Sequence, residues 1–320
     1  MALNPDIEAL LEMVQEGQRN GKRRPLHLLT PGEARSDFDM SSVALDEPPC
    51  DVDSVRDLQI PVRGGASVAA RLYNAGSADA PNPLLVYFHG GGYMVGGLDS
   101  HDSLCRSLAA QTPCAVLSVA YRLAPEHRFP VAVEDAEDTL HWLRDHGAAQ
   151  GLDACRVAFG GDSAGATLAT VLSTLARDNP SWLPASPLMQ VLIYPGVAAR
   201  QDTESHARYG QGYLLEGETI QWFYEQYLRG PEDRGDWRFA PLLTPDLAGV
   251  APALLILAEY DPLVDEGRQY ATRLQDAGVP VSSCVYPGMI HEFLRMGNMV
   301  AEAGEARTRI AGELARAMRR

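Results

Sequence analysis

A short apolar run, a glycine-rich turn and a helix-like run follow one another in Arg156-Val157-Ala158-Phe159-Gly160-Gly161-Asp162-Ser163-Ala164-Gly165-Ala166-Thr167-Leu168. The turn has the pattern Gly-x-Ser-x-Gly, which is typical of a serine exposed on a tight bend between a strand and a helix. The flanking glycines are needed because larger side chains would collide with the neighbouring strand and helix. The stretch therefore predicts that Ser163 is a nucleophile.

The size and composition of the chain limit its class. Its 320 residues can form one large α/β domain with an appended part, or two ordinary domains. Hydrophobic residues at 46% and charged residues at 22% argue against disordered and fibrous classes. The formal net charge of -15 disfavours binding to the phosphate backbone, so we expect no nucleic-acid partner.

The cysteines and the apolar runs bear on location. The five cysteines are scattered and contain no C-x-x-C pair, which argues against a disulfide framework and a zinc site. The N-terminus lacks the basic and then apolar pattern of a signal peptide, and no apolar run reaches transmembrane length. We therefore expect a cytoplasmic protein without stable membrane insertion.

Strand and helix patterns alternate over most of the chain. Alternating runs on either side of Gly64-Gly65 predict an antiparallel hairpin. Apolar runs predict strands at residues 84–88, 115–121, 156–159, 189–194, 253–258 and 281–286. Helical spacing predicts helices at residues 103–111, 131–146, 265–277 and 301–319. This order predicts an α/β fold with a mostly parallel sheet between helices, whose ligands gather at the carboxyl ends of the strands.

Two regions do not follow this alternation of strand and helix patterns. Residues 5–18 form a predicted amphipathic helix, and residues 20–49, rich in Pro, Gly, Ser and Asp, predict an extended connection over the surface. The segment from residue 195 to about 241 resembles an inserted cap with a helix at 218–228. Its aromatic side chains could pack the insertion against its neighbour or line an apolar pocket. They are Tyr209, Tyr213, Trp222, Phe223, Tyr224, Tyr227 and Trp237.

A nucleophilic serine needs a base, and the base needs a group that orients it. With this kind of turn the chain order is serine, acid and then histidine, and only His206 and His291 follow Ser163. His206 lies in the insertion. His291 comes just after a strand and Pro287-Gly288, where a loop can direct it across the carboxyl edge of the sheet. We predict that His291 is the base.

The orienting carboxylate is expected between the serine and the histidine. Asp261 comes directly after the strand that contains the apolar run at 253–258 and ends with Glu259 and Tyr260. This is the position that a loop carboxylate needs. Glu259 and Asp265 compete with it. Glu259 still belongs to the strand pattern, and Asp265 begins a helix, where an acidic residue is explained as a cap or dipole partner. We favour Asp261.

The loop His89-Gly90-Gly91-Gly92 follows the strand at 84–88. A glycine run there can turn backbone N–H groups toward the developing negative oxygen of an acyl-transfer intermediate. Gly91 and Gly92, with the N–H of Ala164, are the predicted oxyanion hole. A nucleotide-binding loop is the alternative, but the lysine and hydroxyl pair and the third glycine of such loops are missing.

Four ordered motifs carry a family resemblance. His89-Gly90-Gly91-Gly92, Gly161-Asp162-Ser163-Ala164-Gly165, Tyr260-Asp261-Pro262-Leu263 and the segment at 121–127 resemble those of bacterial and archaeal hormone-sensitive-lipase-like carboxylesterases. The resemblance spans roughly residues 83–293. It implies an eight-stranded α/β-hydrolase core, a helical cap, and hydrolysis of esters with short to medium acyl chains. Such enzymes often have glycine after the catalytic histidine, whereas this chain has Glu292, which could perturb the base or face solvent.

The same resemblance implies the domain organisation and the triad. We predict an N-terminal cap segment at 1–50, the catalytic core at 51–195 and 241–320, and a cap insertion at 196–240. Ser163, Asp261 and His291 would be the triad of a monomer or homodimer that acts on a small-molecule ester. We expect no cofactor and no metal, because the protein groups suffice for the chemistry.

The sequence is also compatible with two other functions. The same triad can serve an amidase or deacetylase, since it also transfers acyl groups from nitrogen. A non-catalytic receptor for a small ligand is the second alternative, as in the plant gibberellin receptors built on this fold. Their catalytic histidine is replaced, whereas His291 is present here.

Overall fold

One eight-stranded sheet organises the protein in the computed structural model, which describes residues 2–74 and 81–319. The strand order is β1-β2-β4-β3-β5-β6-β7-β8. β2 pairs antiparallel with β1 and β4, and the remaining pairs are parallel. The strands are β1 Ser54–Val62, β2 Ala66–Asn74, β3 Asn82–Phe88, β4 Ala115–Ala120, β5 Leu152–Asp162, β6 Gln190–Ile193, β7 Ala253–Tyr260 and β8 Val281–Ile290. The predicted hairpin and the mostly parallel α/β sheet are confirmed.

Helices cover both faces of this sheet. Successive residues of β3 point to opposite faces, and each face has its own apolar cluster. Val86 and Phe88 pack in the cluster that includes α4, α5 and α8, whereas Leu85 and Tyr87 pack with α1, α3 and α9. The helices are α1 Pro5–Arg19, α2 Pro31–Leu45, α3 Asp102–Gln111, α4 Val131–His146, α5 Ala164–Asp178, α6 Glu204–Tyr209, α7 Gly217–Tyr227, α8 Val264–Asp276 and α9 Ala301–Ala317. In the described ranges, no helix is both long and apolar enough to cross a membrane.

The prediction of an extended connection at residues 20–49 was wrong, because α2 occupies much of it. The Thr30 side chain accepts a hydrogen bond from the Glu33 N–H, and the Glu33 carboxylate accepts one from the Thr30 N–H. This capping box starts the helix although its apolar pattern is weak. Only Ala34, Phe38 and Ser42 of α2 are buried, so a single narrow stripe of this helix packs against the rest of the protein.

The end of β8 also differs from the prediction. The strand continues through Pro287 and Gly288 to Ile290, so His291 follows a strand directly rather than a loop. Proline is tolerated because β8 is an edge strand, where a missing N–H donor leaves no buried partner unsatisfied. The Gly288 N–H donates instead to a carboxylate oxygen of Glu259 at 2.9 Å. The histidine is therefore fixed by sheet pairing.

The N-terminal region and the insertion meet above the glycine loop that follows β3. Phe38 of α2 and Phe223 of α7 form one apolar cluster with Met94 and Val95 of that loop. The insertion also contains α6, which the sequence pattern did not predict. The division into a cap at 1–50 and 196–240 and a core at 51–195 and 241–320 stays a prediction that this packing supports.

Candidate active site

Ser163 lies on the bend between β5 and α5. Its backbone has a φ of 52° and a ψ of -120°, a conformation that residues other than glycine rarely adopt. The Ser163 N–H donates to the carbonyl of Ile193 at 2.8 Å, which ties the bend to β6. A Cβ atom at Gly165 would lie 1.9 Å from the Phe88 carbonyl oxygen, and one at Gly161 would lie 2.4 Å from it. The two glycines thus allow α5 to pack closely against β3, and this packing keeps the Ser163 side chain partly exposed on the bend.

His291 and Asp261 complete a hydrogen-bonded chain with this serine. The His291 Nε2 lies 3.0 Å from the Ser163 Oγ, and its Nδ1 lies 2.8 Å from the Asp261 Oδ2. The other carboxylate oxygen of Asp261 accepts the Leu263 N–H at 2.8 Å. The three side chains come from the ends of β5, β7 and β8, as expected for groups gathered at the carboxyl edge of a parallel sheet.

The environment of His291 favours a strong base. Burial alone lowers the pKa of the imidazole, but the charge and hydrogen bond of the Asp261 carboxylate act in the opposite direction. The nearby charges of Glu292 and Asp162 add to this effect, and the pKa of His291 lies above its ordinary value. A raised pKa makes the imidazole a better acceptor of the serine proton.

The alternative acids Glu259 and Asp265 and the alternative base His206 lie elsewhere. The Glu259 carboxylate accepts the Gly288 N–H, and Asp265 accepts the Ser205 N–H at 2.9 Å. His206 contacts the hydroxyl of Thr203 in the insertion rather than the serine. Neither alternative acid occupies the position beside His291 that Asp261 holds.

The predicted oxyanion hole lies beside the serine. Gly91 and Gly92 have φ values of 111° and 59°, and Ala164 is the first residue of α5. Among the described residues, no hydrogen bond uses the backbone N–H of any of these three. A Cβ atom at Gly92 would lie 2.3 Å from the Phe223 ring, so only glycine fits beneath α7. The Ala164 N–H is thus available at the start of α5, where negative charge is favoured, and the N–H groups of Gly91 and Gly92 are available in the loop after β3.

Asp162, a buried carboxylate that no sequence pattern singled out as functional, supports the glycine loop. Asp162 accepts hydrogen bonds from the Gly90 N–H at 3.0 Å and the Tyr87 hydroxyl at 2.7 Å, and it faces the His101 Nε2. Burial favours the neutral acid, but His101, Arg295 and these hydrogen bonds hold the pKa of Asp162 well below its usual range. Only its place inside Gly-x-Ser-x-Gly could have pointed to it.

Two cavities adjoin at Leu215 and Phe223, which line both of them, and Ser163 lines the first. The first, the inner pocket, has a volume of about 50 Å³. It is lined by Gly92, Tyr93, Ser163, Ala164, Thr167, Gly196, Leu215, Ile220, Phe223, Tyr224, Phe239 and Leu263. The second, the outer groove, has a volume of about 490 Å³ and lies between the N-terminal helices and the insertion. Its lining includes Leu10, Met13, Val14, Leu26, Phe38, Met40, Leu45, Leu214, Leu215, Phe223 and Glu292.

The aromatic residues of the insertion divide between the two expected roles. Phe223 and Tyr224 line the inner pocket, whereas the Tyr227 ring stacks on Tyr93 at 3.9 Å and is buried. Tyr209 and Tyr213 pack around Tyr260. Within the described part of the chain, no group of three or more His, Cys, Asp or Glu residues is placed to hold a metal ion.

A family model described as the alpha/beta hydrolase fold matches residues 85–295. The chain belongs to this family. Within it, the chain is a hormone-sensitive-lipase-like carboxylesterase, as the esterases similar to it indicate. This alpha/beta hydrolase is 46% identical over 312 residues to an ethyl acetate hydrolase of Pseudomonas putida, covering 95% of this chain and 96% of that protein. It is 39% identical over 214 residues to an arylesterase of Saccharolobus solfataricus, covering 67% of this chain and 69% of that protein.

Solved structures agree with this assignment of the alpha/beta hydrolase. An ester hydrolase from the metagenome of Lake Arreo, complexed with a derivative of bipyridine phosphonate, matches with a TM-score of 0.92. The two are 35% identical, and 98% of each chain is covered. An esterase of Pyrobaculum calidifontis matches with a TM-score of 0.89 at 37% identity, again with 98% of each chain covered. The chain is a carboxylic ester hydrolase.

Glu292 is the departure of this alpha/beta hydrolase from the family pattern. It has a φ of 70°, which explains why glycine is common at the position. Its carboxylate pairs with the buried Arg295 at 2.9 Å, and Arg295 also donates to the Ser42 Oγ at 2.6 Å and lies over the Phe38 ring. The carboxylate therefore does more than face solvent, because it joins an ion pair that reaches α2.

We expect Glu292→Gln to move the acid limb of the pH profile to lower pH. His291 must be neutral to accept the serine proton, so activity falls as pH drops through its pKa. The Glu292 charge raises that pKa, and its removal lowers it. The pH dependence of kcat/KM checks this, with Glu218→Gln as control because that exposed carboxylate of α7 pairs with His27 instead. An acid limb that stays in place in Glu292→Gln would contradict the expectation.

Proposed function

We propose that Ser163, His291 and Asp261 are the catalytic triad of this ester hydrolase. The observation that carries the proposal is the unbroken chain of hydrogen bonds at 3.0 Å and 2.8 Å from serine to imidazole to carboxylate. The serine Oγ attacks the ester carbonyl carbon while the His291 Nε2 takes the serine proton. Asp261 keeps the imidazole oriented and stabilises its charged form.

The N–H groups of Gly91, Gly92 and Ala164 would bind the negative oxygen of the tetrahedral intermediate. The intermediate collapses when the carbonyl re-forms and the C–O bond to the alcohol breaks. His291 returns its proton to the departing alkoxide, and the acyl group stays on Ser163. Water then attacks the acyl-enzyme through the same imidazole, and the carboxylic acid leaves.

The unequal cavities suggest which half of the ester is small. The inner pocket lies against Gly92 and Ala164, which would hold the carbonyl oxygen, so the acyl chain would enter it. Its volume of about 50 Å³, against about 490 Å³ for the outer groove, leaves room for only a short chain. The similar protein of Pseudomonas putida is named ethyl acetate hydrolase, after an ester with a two-carbon acyl group, and this supports a short acyl chain in the inner pocket.

The alcohol would occupy the outer groove. Its oxygen must lie near His291, because that residue supplies the proton to the leaving group. Glu292, the next residue, lines the outer groove, in which apolar side chains are the majority although Lys22, Arg23 and Arg24 also line it. We therefore propose esters that combine a short acyl chain with a larger, apolar alcohol.

Two isomeric esters test this orientation. Hexyl acetate and ethyl hexanoate have the same atoms, but the long chain lies on the alcohol side in one and on the acyl side in the other. We expect kcat/KM for hexyl acetate to be at least about 10-fold higher, because each misplaced methylene is worth about that factor. Acid release in a pH-stat measures both, with ethyl acetate as the short reference. Equal rates or a preference for ethyl hexanoate would refute the assignment of the two cavities.

We also propose a cytoplasmic location, a monomer or homodimer, and turnover without metal or organic cofactor. All five cysteines are free, which suits a reducing compartment. The triad and the N–H donors supply the nucleophile, the base and the binding of the oxyanion, so ester hydrolysis requires no further group.

A further inference from the structure

A buried carboxyl group lies directly behind the inner pocket. Glu266, in the first turn of α8, is 0% exposed. One of its oxygens, Oε1, accepts the Val197 N–H at 3.2 Å, and the other has no hydrogen-bond partner among the described residues. No described cation pairs with Glu266, and burial raises the pKa of its carboxyl group well above the ordinary value. With no described cation beside it, burial favours the neutral form of the side chain, which accepts a hydrogen bond from the Val197 N–H.

The backbone that Glu266 holds forms one wall of the inner pocket. Gly196, which precedes Val197, lines that pocket. A Cβ atom at Gly196 would lie 3.8 Å from the Glu266 Oε1 and 3.9 Å from the Thr167 Oγ1. The Thr167 hydroxyl donates to the Gly196 carbonyl, so Glu266 and Thr167 fix the same short segment from α8 and α5. Neither Glu266 nor Val197 touches the serine, but both stand directly behind the space that the acyl chain would fill.

We propose that Glu266 is a positioning residue that determines acyl-chain specificity, by holding the backbone at Gly196 and Val197 against the end of the inner pocket. This inference rests on the proposed function, which assigns the acyl chain to that pocket. Loss of the hydrogen bond would free the segment at 196–198 to move outward into the space of the missing carboxyl group. A longer acyl chain would then fit, while contacts to an acetyl group would weaken.

The test is the ratio of kcat/KM for p-nitrophenyl hexanoate to that for p-nitrophenyl acetate. Glu266→Ala removes the acceptor and the volume, and Glu266→Met removes the acceptor and keeps most of the volume. We expect Glu266→Ala to raise the ratio about 10-fold, the scale of one methylene in an apolar pocket. Glu266→Met should raise it by a smaller factor, because its side chain leaves less space for the segment at 196–198 to move into. Glu266→Gln keeps an oxygen acceptor in a neutral side chain, so the wild-type ratio should return. If Glu266→Ala does not fold, Glu266→Met still provides the measurement.

A matched control separates specificity from stability. Tyr270 lies on the same helix, and its buried hydroxyl contacts the Thr170 hydroxyl at 2.7 Å, away from the segment at 196–198. Tyr270→Phe should lower the melting temperature and leave the ratio unchanged. A wild-type ratio in both Glu266→Ala and Glu266→Met would overturn the proposal, and so would a raised ratio in Glu266→Gln.

A second variant distinguishes this failure from failure of the proposed function. Gly196→Ala adds a methyl group in ordinary van der Waals contact with Leu263 and Thr167, two residues that line the inner pocket, and should lower the hexanoate to acetate ratio about 10-fold. If Gly196→Ala leaves the ratio unchanged, the inner pocket does not bind the acyl chain and the inference falls with that assignment. If Gly196→Ala lowers it but the Glu266 variants do not raise it, only the role of Glu266 is refuted.

Discussion

Ser163→Ala is expected to lower kcat on p-nitrophenyl acetate by a factor on the order of 10⁶, the scale seen when a triad serine is lost. Without the hydroxyl, no acyl-enzyme can form, and the remaining groups can only assist direct attack by water. The absence of an acetyl adduct on the intact protein, by mass spectrometry after rapid quenching, is the second readout. The fold should persist, because alanine removes one atom from a position whose strain lies in the backbone.

Ser107→Ala provides the control for this experiment, since Ser107 lies on α3 and contacts Gln111 rather than the triad. Its activity and its acetyl adduct should match those of the unmodified protein. Full activity in Ser163→Ala would remove the proposed nucleophile, and an acetyl adduct on another serine would show which residue takes its place.

Gly165→Ala is expected to destabilise the protein by more than about 3 kcal/mol and to abolish activity in whatever folded fraction remains. The added Cβ atom would lie 1.9 Å from the Phe88 carbonyl oxygen and 2.6 Å from that of His89. Both obstacles are backbone atoms at the end of β3, so no side-chain rotation can relieve the contact. Either α5 or the glycine loop must shift, and both carry groups of the proposed site. Urea denaturation followed by circular dichroism measures the loss.

Gly312→Ala is the matched control for Gly165→Ala. Gly312 lies within α9, and nothing stands within 4 Å of the position that its Cβ would take. The same substitution should therefore stabilise the protein by about 0.5–1 kcal/mol, because alanine is the better helix former. Similar stabilities for the two variants would show that the close approach of α5 to β3 is not what excludes a side chain at Gly165.

Local patterns were enough to predict the sheet and the three residues of the proposed triad. The small-residue turn specified Ser163, and the positions of Asp261 and His291 after apolar strands placed them at one edge of the sheet. Each of these sequence patterns lies within a few residues of the side chain that it predicts. The end of β8 was missed because Pro287 and Gly288 usually interrupt strands, whereas an edge position tolerates both.

Tertiary contacts account for the features that the sequence did not predict. Helix α2 has one narrow buried stripe, so its start depends on the capping box between Thr30 and Glu33 rather than on amphipathic spacing. The support of the glycine loop by Asp162 joins residues 72 positions apart, because the carboxylate accepts the Gly90 N–H. A single sequence shows no link between such positions, nor does it show a cavity volume.

The ion pair between Glu292 and Arg295 has a consequence for protein engineering. Arg295 is 3% exposed, and its guanidinium group is shared between Ser42 near the end of α2 and the residue that follows His291. A chimera whose new N-terminal segment lacked a hydrogen-bond acceptor at position 42 would leave this cation without one of its partners, next to the proposed base. The N-terminal segment and the 292–295 turn should therefore be transplanted as one module.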